Sequence, residues 1–127
     1  MPLKEPKNIE KTKTDIVITD FAKGGELIDP KDVGGRVSCS KIHVPPHKGF
    51  ARHIHPSDHI LIILDGSGWM TYSEKGKSLR LNFQKGDVFP VPSNLEHAVT
   101  AGKNGVTLLA IGSPARLLND PERMKFV

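Results

Sequence analysis

The chain is poor in several things, and each shortage closes a door. Its 127 residues include one cysteine, Cys39, so an intrachain disulfide is impossible. That fits a reducing compartment, and the lone thiol reads as a small buried side chain. There are one Trp, one Tyr and five Phe, too few for a row of bases to stack on. No apolar run approaches the roughly 18 residues needed to cross a bilayer. The opening "MPLKEPKNIEKTKT" has no apolar stretch of the kind a secretory leader carries. A cytoplasmic protein with no membrane partner is expected. The net charge of +4 is modest. Within residues 1–14, Lys4, Lys7, Lys11 and Lys13 are opposed by Glu5 and Glu10, the pattern of a solvated arm rather than a nucleic-acid-binding one.

Helical periodicity is also missing until "SPARLLNDPERMKFV" (113–127), where Leu117, Leu118 and Met124 predict a short helical or irregular tail. What is present instead is a series of short runs rich in β-branched residues. They are "DIVITDF" (15–21), "RVSCSKIHV" (36–44), "FARHIH" (50–55), "HILIILDG" (59–66), "SGWMTYS" (67–73), "SLRLNFQ" (78–84), "DVFPVP" (87–92), "EHAVTA" (96–101) and "VTLLAIG" (106–112). Twelve Gly and ten Pro supply turns between them, at "DGSG", "EKGK", "QKGD", "PSN" and "GKNG". This spacing predicts an all-β sandwich or barrel forming one domain over residues 15–127, with residues 1–14 as an arm. Pro90 and Pro92 place their run at a sheet edge or strand entry.

Three of the six histidines, His53, His55 and His59, fall within "HIHPSDH". On a strand, residues i and i+2 share a face, so His53 and His55 point together. Arg52 and Ile54 point away. Pro56-Ser57 turns the chain, and His59 opens a strand on which it shares a face with Leu61 and Ile63. The other face, Ile60, Ile62 and Leu64, is apolar too, which predicts a strand buried on both sides. Farther along, His97 shares a face with Val99. Buried imidazoles need partners and resist sharing protons, and a metal ion answers both needs. His43 and His47 flank Pro45-Pro46 and read as surface residues.

These residues resemble the cupin family. Its first motif runs Gly, five residues, His-x-His, three or four residues, Glu, six residues, Gly. Here His53, His55, His59 and Gly66 occupy those places, and Gly49 stands near the leading glycine. The second motif runs Gly, five residues, Pro-x-Gly, two residues, His, three residues, Asn. Gly86, Pro92 and His97 match it. Asn94 replaces a glycine, an exchange that left-handed backbone tolerates, and Ala101 replaces the final Asn. The resemblance covers about residues 36–112. It implies a double-stranded β-helix, or jelly-roll barrel, with a divalent transition metal ion in its mouth. It further implies His53, His55, His59 and His97 as ligands. His59 stands where most of the family has Glu; Asp58 is acidic but one residue off, on the opposite face.

Four neutral imidazoles leave a divalent ion at net +2 rather than +1, a stronger Lewis acid that attracts anions. Imidazole suits Zn, Cu, Fe and Ni, with Mn the oxygen-preferring outlier. Three classes of function follow. One is an enzyme acting on a small carboxylate- or carbonyl-bearing substrate, by dioxygenase-type oxidation or by Lewis-acid isomerase or lyase chemistry. The second is a small-ligand-binding or sensing module. The third is a structural zinc protein. The stretch before the barrel has no helix-turn-helix pattern, which weighs against a DNA-bound sensor. Trp69, Tyr72 and Arg80 are candidates for the substrate cavity, while Leu81, Phe83 and Phe89 read as core. Family resemblance implies a homodimer, with residues 1–21 adding a strand across its interface.

Overall fold

The structure is a computed structural model; it describes residues 3–19 and 21–127. Met1 and Pro2 of the expected arm, and Asp20 of the first expected strand, lie outside the described residues. Nine strands among the described residues account for about half of them: β1 (Ile16–Val17), β2 (Lys23–Glu26), β3 (Ser38–Val44), β4 (His53–Ile54), β5 (Asp58–Glu74), β6 (Lys77–Gln84), β7 (Val88–Val91), β8 (His97–Ser113) and β9 (Lys125–Phe126). One 3-10 turn at Pro30–Val33, capped by the Asp29 side chain, is the sole helical element among the described residues.

The frame is the antiparallel pair β5–β8, which runs from Asp58↔Ser113 to Tyr72↔His97. Both strands are 17 residues long. They were expected as two strands each, broken by turns at "DGSG" and "GKNG". Those segments bend the strands without reversing them. The register shifts between Ile63 and Asp65 and again between Gly66 and Gly68. Gly66 and Gly105 take positive φ values of 81° and 74°. A Cβ on Gly66 would lie 2.0 Å from the Gly105 carbonyl oxygen, and one on Gly68 would lie 2.2 Å from that of Thr100. Glycine therefore lets two bulged backbones pass at the corner where both strands change sheets. On one side of the bend β7, β5, β8, β3, β2 and β1 pair in that order; on the other, β6, β5, β8, β4 and β9 do. Two sheets sharing their central strands enclose the core, the jelly-roll arrangement.

True reversals occur where expected. Lys75 and Gly76, both at positive φ, join β5 to β6 in a two-residue hairpin. Asn94 adopts φ 63°, the left-handed conformation for which Asn substitutes for Gly. β7 holds Pro90 and pairs with β5 on one side, so the missing N–H costs no ladder bond.

Inward positions alternate as the sequence predicts. Leu61, Ile63, Met70, Phe83, Val91, Val99 and Leu108 form the core. Two expectations about faces fail. Ile60 is 46% exposed, and Ile62 and Leu64 are half-buried, because no layer among the described residues covers the outer face of β5. Leu81 is 36% exposed, since β6 is an edge strand that buries Phe83 alone.

The two ends of the chain pack onto this frame. β2 reads "KGGE", a poor strand by propensity. Its glycines make room: a Cβ on Gly24 would lie 2.6 Å from Leu118 Cδ1, and one on Gly25 would lie 2.1 Å from the Lys13 carbonyl oxygen. The arm is draped over this strand. Lys41 Nζ donates to the carbonyls of Ile9 at 2.8 Å and Thr12 at 3.1 Å, and Lys4 pairs with Asp32 at 2.9 Å. Ile16–Val17 pairs with β2 of its own chain. At the other end the tail is irregular, one of the two forms expected for it. Turns carry it to β9, which pairs with β4 at His53↔Phe126.

Candidate metal centre

β4 with the residue that follows it, β5 and β8 bring four imidazoles to the inside of one barrel end. His53 is fully buried, and His55, His59 and His97 are nearly so. The turn between β4 and β5 is fastened at three points. Ser57 Oγ donates to the Pro114 carbonyl at 2.6 Å, the Ser93 amide donates to Asp58 Oδ1 at 2.8 Å, and the Asn94 amide donates to the His55 carbonyl at 2.8 Å. The last two contacts tie the first histidine segment to the loop before His97. Asp58 faces outward, its Oδ1 holding this loop.

Ring centroids are 4.2 Å apart for His53 and His97, 4.8 Å for His53 and His55, and 4.5 Å for His55 and His59. One ring nitrogen each of His53, His55 and His97 lies within 4.8 Å of the others. Their Nδ1 atoms are already engaged. His53 Nδ1 donates to the Ala51 carbonyl at 2.7 Å, His97 Nδ1 to Leu95 at 2.7 Å, and His55 Nδ1 to Arg123 at 2.8 Å. A carbonyl only accepts, so each Nδ1 carries the proton and each Nε2 carries a lone pair. Three acceptors thus face one another with no donor between them. His53 Nε2 and His59 Nδ1 are buried without a hydrogen-bond partner among the described residues. Carbonyl-oriented imidazoles with free lone pairs are the donor set that a divalent transition metal ion takes. The cluster fits such an ion. His59 stands beside the three-nitrogen group rather than within it, in ring contact with His55.

Burial governs the charge state. Desolvation, followed by the neighbouring His97 imidazole, lowers the His53 pKa to about 4. Desolvation, then His59 and His53, lowers that of His55 to about 2. Desolvation, then the Arg123 guanidinium, lowers that of His59 to about 4. His97 is lowered by desolvation as well. All four are neutral at pH 7 and available as ligands.

The histidines line a cavity of about 30 Å³ whose remaining walls are largely apolar, among them Leu61, Val91, Val99 and Leu108. A water needs roughly 10–15 Å³ measured this way, so an ion with one or two small ligand atoms is the scale of occupant. Trp69, Tyr72 and Arg80 do not line it. The Arg80 guanidinium lies 4.1 Å over the Trp69 ring, and both sit in an outer groove with Asn82 and Gln84. Tyr72 is opposite His97 in register, yet lines a separate apolar hollow with Met70, Phe89 and Leu95. In their place the structure brings Phe50, Arg123 and Met124 to the cavity. No local motif marks Arg123, and the bond that places it spans 68 residues. His43 bonds Thr107 Oγ1 at 3.0 Å, outside the cluster, and His47 is exposed at φ 62°. Cys39 is half-buried, and desolvation, with Glu26 nearby, raises its thiol pKa; it is not an activated nucleophile.

Residues 40–112 match the cupin domain family, and the chain belongs to that family. Among curated proteins it is similar to acireductone dioxygenases. It is 33% identical to the Gallus gallus protein over 69 residues, covering 51% of this chain and 38% of that one. To the Drosophila melanogaster protein it is 27% identical over 104 residues, covering 76% and 53% respectively. The chain therefore matches about half or less of these relatives' length. Among solved structures, the polyketide cyclase RemF from Streptomyces resistomycificus superposes with a TM-score of 0.76 at 19% identity. That match covers 98% of this chain and 86% of the other. A point mutant of Bacillus subtilis oxalate decarboxylase gives 0.79 at 16% identity, covering 100% of this chain and 33% of that one. Likeness at these identities shows the fold.

Proposed function

We propose that this cupin is a mononuclear metalloenzyme that holds one divalent transition metal ion through His53, His55, His59 and His97. It would act on a small substrate bearing a carboxylate, carbonyl or enol. The observation that carries this reading is the set of buried imidazoles, each of three with Nδ1 held by a carbonyl and Nε2 left facing the others. The similarity to acireductone dioxygenases favours dioxygenase-type oxidation over Lewis-acid isomerisation or lyase chemistry. Bound there, the ion would supply Lewis acidity and, for a redox-active metal, a place for dioxygen. The chain's own contribution is orientation and exclusion. The carbonyls of Ala51, Leu95 and Arg123 fix the ring tautomers, and Leu61, Val91, Val99 and Leu108 keep bulk water from the centre. The reading includes a cytoplasmic setting and a homodimer. Supporting the dimer are Ile60 and Val88, which leave apolar side chains on an uncovered sheet face.

The test is metal content after expression and purification without chelator. Wild type should carry close to one ion per chain. His55→Ala should lose most of it, and Asp58→Ala should keep it, because Asp58 faces the Ser93 loop. Loss of metal in Asp58→Ala with retention in His55→Ala would overturn the ligand assignment.

A further inference from the structure

Arg123 is a buried cation with no ion pair among the described residues. The residue lines the histidine cavity and is 4% exposed, and its guanidinium charge acts on His59 and His53. Of its five N–H donors, the one hydrogen bond found among the described residues runs from Nη1 to the Arg116 carbonyl at 2.8 Å. Among those residues no carboxylate comes within the 4.0 Å of an ion pair. Glu26 and Asp120 act on it only from beyond that distance. Glu26, the stronger of the two influences, accepts from Ser40 Oγ at 2.7 Å through Oε1 and holds Oε2 buried without a hydrogen-bond partner among the described residues, and Asp120 is paired with Arg116 at 3.2 Å. A guanidinium does not escape burial by losing its proton. Held out of ion-pair reach of Glu26, it is costly to keep. Yet the fold keeps it, and keeps it firmly. The Arg123 amide donates to Asp120, its carbonyl holds His55 Nδ1, and two residues later β9 pins the strap to β4.

We propose that Arg123 is the anion-binding residue of this cavity. Its guanidinium would take an anionic oxygen of a small carboxylate or enolate whose other oxygen faces the histidines. This deepens the metal-centre reading and rests on it for the second contact. It also gives the C-terminal strap a role: one residue orients a ligand histidine through its carbonyl and receives substrate through its side chain. The cavity's small volume and apolar walls restrict the partner to a compact anion.

Acetate and neutral imidazole serve as probes on cobalt-loaded protein, followed by the visible spectrum. Wild type should bind acetate. Arg123→Gln, at equal cobalt content, should bind it about 10- to 100-fold more weakly, the scale of a lost charge-assisted hydrogen bond. Arg123→Lys should fall between the two, and imidazole affinity should be the same in all three. Equal acetate affinity in wild type and Arg123→Gln overturns the proposal while leaving the metal centre standing. If wild type takes up no metal, the metal-centre reading fails by itself. The anion site is then read on metal-free protein, where acetate should raise the melting temperature of wild type and not of Arg123→Gln; an equal rise in both overturns it. Should Arg123→Gln fail to fold, a crystal structure of wild type with oxalate decides. A carboxylate within hydrogen-bond distance of the guanidinium supports the assignment, and one bound elsewhere in the cavity overturns it.

Discussion

Stripping the metal should make this protein sharply sensitive to mild acid. The folded pKa values of His53, His55 and His59 lie at about 4, 2 and 4, all below the ordinary 6.5. The unfolded chain therefore binds more protons than the folded one as pH drops below 6.5. The stability these residues allow is fully present above that pH and drains away toward pH 4. Between pH 7 and pH 5 each such group shifts the balance by roughly 2 kcal/mol, and the three together by about 5 to 6 kcal/mol. His97 adds in the same direction. Domains of this kind hold about 5–15 kcal/mol in total, so the loss is a large fraction of what there is. Urea unfolding of chelator-treated protein at the two pH values reads it directly. With a slope of about 1–3 kcal/mol per molar urea, the midpoint should fall by roughly 2 M or more at pH 5. Restoring the ion should raise the pH 7 midpoint by mass action and steepen the acid loss, because protons must then also expel the metal. A metal-free midpoint that stays put from pH 7 to pH 5 would refute the burial of neutral imidazoles on which the site depends.

Two further substitutions probe its surroundings. In Gly112→Ala the new Cβ meets both His59 Nε2 and Ser38 Oγ at 3.0 Å. Crowding of this kind costs about 1–3 kcal/mol and turns the His59 ring. The melting temperature and metal affinity should both fall with every histidine still present, and unchanged affinity would remove His59 from the ligand set. In Lys41→Met the carbonyls of Ile9 and Thr12 lose their shared donor. Limited proteolysis should then cut within residues 3–14 sooner than in wild type, at a stability cost of about 1 kcal/mol; an unchanged cleavage rate would show that the arm is held by other contacts.

Much of the site was legible because strand alternation is local. Two residues apart means one face, whatever the strand pairs with, so His53 with His55, His59 with Leu61 and His97 with Val99 point inward as their spacing requires. The positive φ of Asn94 and the Lys75–Gly76 hairpin follow likewise from the intrinsic preferences of a few adjacent residues. The motif spacings from His53 to His97 were enough to name the family.

Other features depended on partners far along the chain. "DGSG" and "GKNG" look like turns until each bulged strand is seen against the other, for Gly66 is forced by the Gly105 carbonyl that a Cβ would strike. Ile60 lies in a run with the composition of a doubly buried strand, yet it is exposed because no layer among the described residues covers that face. Trp69 and Arg80 stack on each other outside the barrel because β6 pairs along its edge, a register that composition does not encode. Above all, Arg123 reaches the cavity by a bond spanning 68 residues. Spacing along the chain fixes which side chains share a face, and so turns a set of imidazoles inward. What covers each face and what closes the mouth depend on contacts between distant segments that share no local pattern.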